Sequence, residues 1–188
     1  AAAAQALGDN FALTWLATPG EELSNTVQAP FGTHPSLAPY CNTLNSRIAM
    51  PYVEISRLAR LAEITRNTAA LAALRVCFCK DPGAMNCGLC EKCVRTQLVL
   101  RLHGIDPAPF FSGVNLDADL IDHTNIDSDS AANMAREMLA HMQGKEWLSP
   151  RNAVQRQIQR WERYKRWKEG KTTGGRLRSL AKRLQYMN

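Results

Sequence analysis

The sequence predicts a helix-rich α/β fold with a four-cysteine metal knuckle near its middle and a basic helical tail. Three observations predict it. Short apolar runs punctuated by Pro and Gly are followed by longer segments with helical spacing. Five of the six cysteines fall between Cys77 and Cys93. The charge is segregated: residues 1–150 carry 11 Lys and Arg against 15 Asp and Glu, whereas residues 151–188 carry 12 against 2. A mildly acidic body thus bears a strongly basic tail, a pattern suited to an anionic partner. The 188 residues suffice for one core, or one core with an appendage. With 45% hydrophobic and 21% charged residues, the composition is that of an ordinary globular chain.

The elements follow in order. "AAAAQALGDN" has no basic stretch before an apolar one, so it does not read as a secretory leader. It also lacks an initiating Met, and the sequence is expected to begin inside a longer protein or to lack an upstream part. Phe11 to Ala17, ended by Pro19-Gly20, predicts a short buried strand. Pro30, Gly32, Pro35 and Pro39 predict a loop through which no helix runs. Ile48 to Ile55 predicts a second strand. Leu58, Leu61, Ala62 and Ile64 recur at helical spacing after Ser56, an apt N-cap. A second helix begins at Asn67 or Thr68. Beyond the cysteines, "EKCVRTQLVLRLHG" predicts a helix with Val94, Leu98 and Leu102 on one face and Gly104 as its stop. The acidic stretch after residue 105 reads as an irregular surface loop, closed by Ser128 or Asp129 as the N-cap of a helix that ends at Gly144. Met134, Met138 and Met142 recur there at core spacing. A basic helix starts near Pro150 and reaches Gly170. "TTGG" is a hinge before a last short basic helix. No run of eighteen apolar residues occurs, so no transmembrane helix is expected.

Cys87, Cys90 and Cys93 are spaced C-x2-C-x2-C, and Gly88 lets the backbone turn tightly between the first two. Three convergent thiolates need a fourth to complete tetrahedral zinc. Cys79 and Cys77 both qualify, separated from Cys87 by seven and nine residues across a Pro82-Gly83 turn. A disulfide framework fits poorly, because thiols this close cannot pair without strain and nothing indicates secretion. An iron–sulfur cluster stays open beside zinc, since the same spacing occurs in ferredoxins. A site filled by four thiolates has no open position, so its metal is structural. Lys92 and Arg95 are expected to offset its charge.

"CGLCEKCVRT", with an upstream Cys before a "DPG" turn, resembles the zinc-binding C-terminal segment of the 7-cyano-7-deazaguanine synthase family. These are PP-loop enzymes of the adenine-nucleotide alpha-hydrolase superfamily. The synthase spacing implies Cys79 as the first ligand. A less characterised bacterial branch of PP-loop-like proteins is closer still, and its spacing implies Cys77, which is preferred. "PFGTHPSLAPYCNT" resembles a segment of that branch, and "MPYVEISRLARLAEITRN" resembles the strand and helix that precede the knuckle in the synthases. A muropeptide epimerase family carries a similar cysteine element, so the motif does not fix the substrate. The resemblance covers residues from about 11 to about 106 and leaves the basic tail out. It implies the helix-rich second half of a Rossmann-like (HUP/PP-loop) domain.

On this reading residues 1–110 are a partial PP-loop-like α/β domain with its knuckle at 77–93, residues 111–149 an acidic loop and helix, and residues 150–188 the basic aromatic helical tail. The resemblance further implies ATP-dependent adenylation of a carboxylate or amide on a small molecule or nucleobase. His34 and Arg57 are the candidate substrate contacts. The SGGxDS loop that holds the pyrophosphate of ATP is absent from the sequence. ATP and Mg2+ would therefore bind through a missing N-terminal half or a second subunit. A cytoplasmic protein is expected.

The competing expectation is a non-catalytic zinc-stabilised module whose tail meets nucleic acid or an anionic partner. Arg160, Arg163, Trp167 and Arg176 are its candidate contacts, because cations meet phosphate and rings stack on bases. Asp117, Asp119, Asp122, Asp127 and Asp129 match no calcium loop and read as a solvated acidic surface. His103 and Cys41 read as a helix-end cation and a small structural residue.

Overall fold

The computed structural model describes residues 6, 10–17, 35–51, 53–78 and 85–170. Its architecture is mixed and helix-rich, with one short two-stranded parallel sheet and a cysteine cluster. The chain divides into two compact units, Ala1–Leu61 and Ala62–Asn188. Residues 111–149 and 150–170 lie in the second unit together with the cysteine cluster.

In the first unit, β1 (Leu13–Trp15) pairs in parallel with β2 (Arg47–Ala49), Thr14 standing opposite Ile48. Both strands are shorter than predicted. Pro51 follows β2 closely and offers no backbone donor for a longer ladder. β1 is not the buried strand expected: with a single neighbouring strand among the described residues, it leaves Leu13 and Trp15 exposed and Thr14 half-buried. The proline-rich loop also contains a helical segment. Pro35–Cys41 winds as a 3-10 helix with Pro39 inside it, a run longer than such helices usually make. Asn42 fixes the entry to β2, its Oδ1 accepting from Ile48 N at 2.8 Å.

Helix α1 (Arg57–Ile64) starts where Ser56 predicted, Ser56 Oγ accepting from Ala59 N at 3.1 Å. Leu58 and Leu61 form its buried side. Helix α2 (Thr68–Ala72) is capped by Asn67, whose side chain accepts from Ala70 N.

Helix α3 (Glu91–Leu102) is the core of the second unit. A single apolar face was expected on it, but every residue from Cys93 to Leu100 is buried. The polar ones have local partners, although Gln97 Oε1 is buried with no hydrogen-bond partner among the described residues. Arg95 Nη1 meets Glu91 Oε1 at 3.2 Å, Thr96 Oγ1 donates to Lys92 O at 2.8 Å, and Gln97 Nε2 donates to Gly88 O at 2.8 Å. Gly104, at φ 73, ends the segment as predicted.

The acidic stretch is less irregular than predicted. It holds a 3-10 turn at Ala108–Phe110 and helix α4 (Ala118–His123), which Asp117 caps through Leu120 N at 2.8 Å. Ser128 caps α5 (Asp129–His141), where Met134 and Met138 are buried, as is Met142 just beyond. Gly144, at φ 98, leads into α6 (Leu148–Lys168). α6 packs on α4 and α5, and α5 reaches α3. Ala153, Val154, Gln157 and Ile158 are its buried face. Among the described residues no helix is long and apolar enough to cross a membrane.

Candidate metal centre

Cys77 follows the chain that leaves α2, Cys87 and Cys90 lie in the turn before α3, and Cys93 lies in its first turn. Their four Sγ atoms all fall within 4.8 Å of one another, and Cys87 Sγ lies 3.8 Å from Cys93 Sγ. That separation is far beyond a disulfide bond of about 2.05 Å. Four sulfurs about 2.3 Å from a central zinc would stand about 3.8 Å apart. The cluster therefore has the ligand type and spacing to hold a metal ion such as zinc. Among the described residues, Cys77 is the upstream thiol that joins it. Cys79 and the Pro82-Gly83 turn lie outside the described residues.

Three local features converge the sulfurs. Gly88 takes φ 74, where a side chain is strained, and a Cβ there would meet Phe111 O at 2.7 Å and Val114 Cγ2 at 2.8 Å. The Cys87 amide donates to Cys77 Sγ at 3.4 Å, and the Cys90 amide donates to Cys87 Sγ at 3.4 Å. Such amide donors favour the thiolate form. Cys90 is the N-cap residue of α3, so its sulfur also stands at the positive end of the helix dipole.

Asn86, fully buried, is the clasp that sequence reasoning missed. Its Oδ1 accepts from Val76 N at 2.8 Å, and its Nδ2 donates to Leu74 O at 2.7 Å and to Phe110 O at 3.1 Å. Ser112 Oγ donates to Asn86 O at 2.7 Å. One amide side chain thus joins the segment before Cys77, the turn before Cys87 and the chain after α3. The one signal in the sequence was its position directly before Cys87. Leu71, Leu100 and Phe111 pack beside Cys77 and Cys93, so the sulfurs rest on the apolar core.

Burial pushes the Cys93 and Cys90 thiols up. Burial also raises the Cys87 thiol, but hydrogen bonds from the Cys90 and Leu89 backbone more than offset it and bring it to about 7. The two cations expected to balance the charge have other contacts in the structure. Arg95 is occupied by Glu91, and the Lys92 ammonium lies 5.4 Å from the centre of the Phe78 ring. The amide donors stand at the sulfurs themselves.

No protein-family model, curated protein or solved structure matches the chain. The chemistry of the site rests on its own residues.

Of the other sequence-predicted contacts, Arg160, Arg163 and Trp167 lie on α6. Arg57 is exposed at the first residue of α1, and His34 lies outside the described residues, as does Arg176. Arg160 is turned inward: Nη1 meets Asp122 Oδ1 at 2.7 Å, and Nη2 donates to the carbonyls of Asp122 and Thr124. It thereby serves as the cation at the C-terminus of α4. Arg163 and Trp167 are exposed. The aspartates are not simply solvated. Asp122 binds Arg156 and Arg160, and Asp129 binds Lys165 and the Trp161 indole. These partners hold both carboxyls below the usual range, Arg160 acting most on Asp122 and Lys165 most on Asp129.

Proposed function

We propose that Cys77, Cys87, Cys90 and Cys93 bind one structural zinc ion, and that this knuckle is the organising element of the second unit. The observation that carries the reading is the mutual approach of four sulfurs within 4.8 Å. Four thiolates leave no open coordination position, so the ion would not activate water. Its role is to lock the segment before Cys77 onto the start of α3. A divalent ion also relieves the repulsion that four neighbouring thiolates impose on one another.

The test is elemental analysis of the purified chain, expected to give one zinc per chain and negligible iron. Cobalt exchange is expected to produce the intense visible bands of a tetrahedral four-sulfur site. Cys90→Ser is expected to lose the metal and unfold at lower temperature. A stable, fully folded Cys90→Ser chain would overturn the structural role, and stoichiometric iron with sulfide would replace zinc by a cluster.

We propose further that the knuckle serves an ATP-dependent adenylating enzyme similar to the 7-cyano-7-deazaguanine synthase family. Support comes from the C-G-x-C-x-x-C spacing and from the segments resembling that family upstream. In this reading a carboxylate or amide oxygen would attack the α-phosphate of ATP and release pyrophosphate to form an adenylate, a nucleophile would displace AMP, and the pyrophosphate-binding loop would be supplied from outside these residues. His34 and Arg57 remain the proposed substrate contacts. Pyrophosphate–ATP exchange, assayed on the complete gene product with its stably associated subunits, tests this. Zinc without any exchange or AMP release across carboxylate substrates would remove the enzyme reading and leave the zinc module.

A further inference from the structure

Beyond Arg151 in its first turn, the cations of α6 divide into two sets, and the division points to a second site. Arg156 and Arg160 are paired with Asp122, and Lys165 with Asp129, so these three fasten the helix to α4 and α5. Arg163, Arg166 and Lys168 are exposed, and none of them forms an ion pair with another described residue. An aromatic ladder runs among them. Trp161, anchored by its indole to Asp129, lies 5.6 Å from Tyr164, and Tyr164 lies 6.2 Å from Trp167. Tyr164 is 47% exposed and Trp167 39%.

We propose that this outer, C-terminal part of α6 is a binding surface for single-stranded nucleic acid. Phosphates would meet Arg163, Arg166 and Lys168, and unstacked bases would lie against Tyr164 and Trp167. Two features of the helix select this partner over a membrane. A helix that lies on a bilayer must insert a continuous apolar face. In α6 that face, Ala153, Val154 and Ile158, is already buried in the protein. The opposite face, through Asn152, Gln155, Gln159, Arg163 and Arg166, is exposed and wholly polar. The rings select it over a merely acidic protein partner, because two exposed aromatics among cations that pair with no described residue suit ligands that present π-faces as well as charge.

The experiment is fluorescence anisotropy of the zinc-loaded full chain with short fluorescein-labelled oligo(U) and oligo(dT), titrated over salt. Binding of either probe that weakens steeply with salt is expected, and preference between the two tells RNA from DNA. Arg163→Glu/Arg166→Glu is expected to weaken binding by at least about tenfold and to flatten the salt slope by about 1.4, since each lost contact on a single strand removes about 0.7. Tyr164→Ala/Trp167→Ala is expected to weaken the oligonucleotides at least about fivefold while leaving poly-L-glutamate unaffected. Arg66→Glu/Lys145→Glu makes the same charge change on exposed residues elsewhere and is expected to change affinity less than about twofold. Arg163→Gln/Arg166→Gln, which keeps helix formers in place, repeats the test should the Glu variant misfold. No probe binding at low salt overturns the proposal. So does equal weakening by the control pair, equal affinity for poly-L-glutamate, or tighter binding to phosphatidylglycerol vesicles.

Discussion

Replacing Asn86 by Ala should loosen the metal centre without touching a sulfur. The side chain makes three hydrogen bonds to backbone groups, to Leu74 O, Val76 N and Phe110 O, and Asn86 itself is 1% exposed. Each bond contributes roughly 1 kcal/mol net, and stranding a buried partner adds to the loss, so the total is about 3–4 kcal/mol. In a chain of this size each kcal/mol moves the melting midpoint by about 2–4 °C, which gives a fall on the order of 10 °C. The direction of damage is specific. Val76 precedes Cys77, so losing the clasp frees the one ligand that comes from outside the Cys87–Cys93 segment. Circular dichroism melting of the zinc-loaded protein measures the first effect, and competition with a chromophoric chelator measures the second. Asn86→Asp should do no better than Ala at neutral pH. Its carboxylate still accepts from Val76 N but faces two carbonyls with no proton to give. A variant that melts within about 2 °C of the parent and holds zinc as tightly would refute the clasp.

Three further outcomes follow from the same geometry. Cys77→Ser is expected to abolish stoichiometric zinc while Cys79→Ser retains it, read by elemental analysis of both; the reverse result would hand the fourth ligand to Cys79. Gly88→Ala is expected to lower stability by about 2–4 kcal/mol in urea denaturation, from left-handed strain together with overpacking against Phe111 O. The Asp122 and Asp129 tethers should fail in acid. Their carboxyls titrate below the unfolded value, so their stabilisation is present above about pH 4 and is lost as pH falls through the lower folded values. Asp122→Asn should therefore be less stable than the parent at neutral pH and show a shallower loss below about pH 4, followed as the urea midpoint against pH.

Much of the local structure was legible because its causes are local. Ser56, Asn67 and Ser128 each accept from a backbone amide three residues on, so a cap and the apolar spacing behind it suffice to place a helix start. The C-x2-C-x2-C spacing and the glycine at φ 74 likewise lie within one turn of chain. The strands were misjudged in length and burial, because an apolar run does not state how many neighbours it will have. α4 was missed because its six residues, capped by Asp117, lie in a stretch whose acidity masked the pattern.

By itself the sequence determined the cluster of thiols, the helix caps and the separation of an acidic body from a basic tail, since each is a matter of residue type and short spacing. Only the tertiary structure decided which distant groups meet. It brought Cys77 to Cys87 across ten positions, Asn86 to Phe110 across 24, and Arg160 to Asp122 across 38. That last contact fixes which cations of α6 are occupied and which face solvent. Pairing at such separations depends on how helices pack, and packing follows from the whole buried surface rather than from any short stretch of chain.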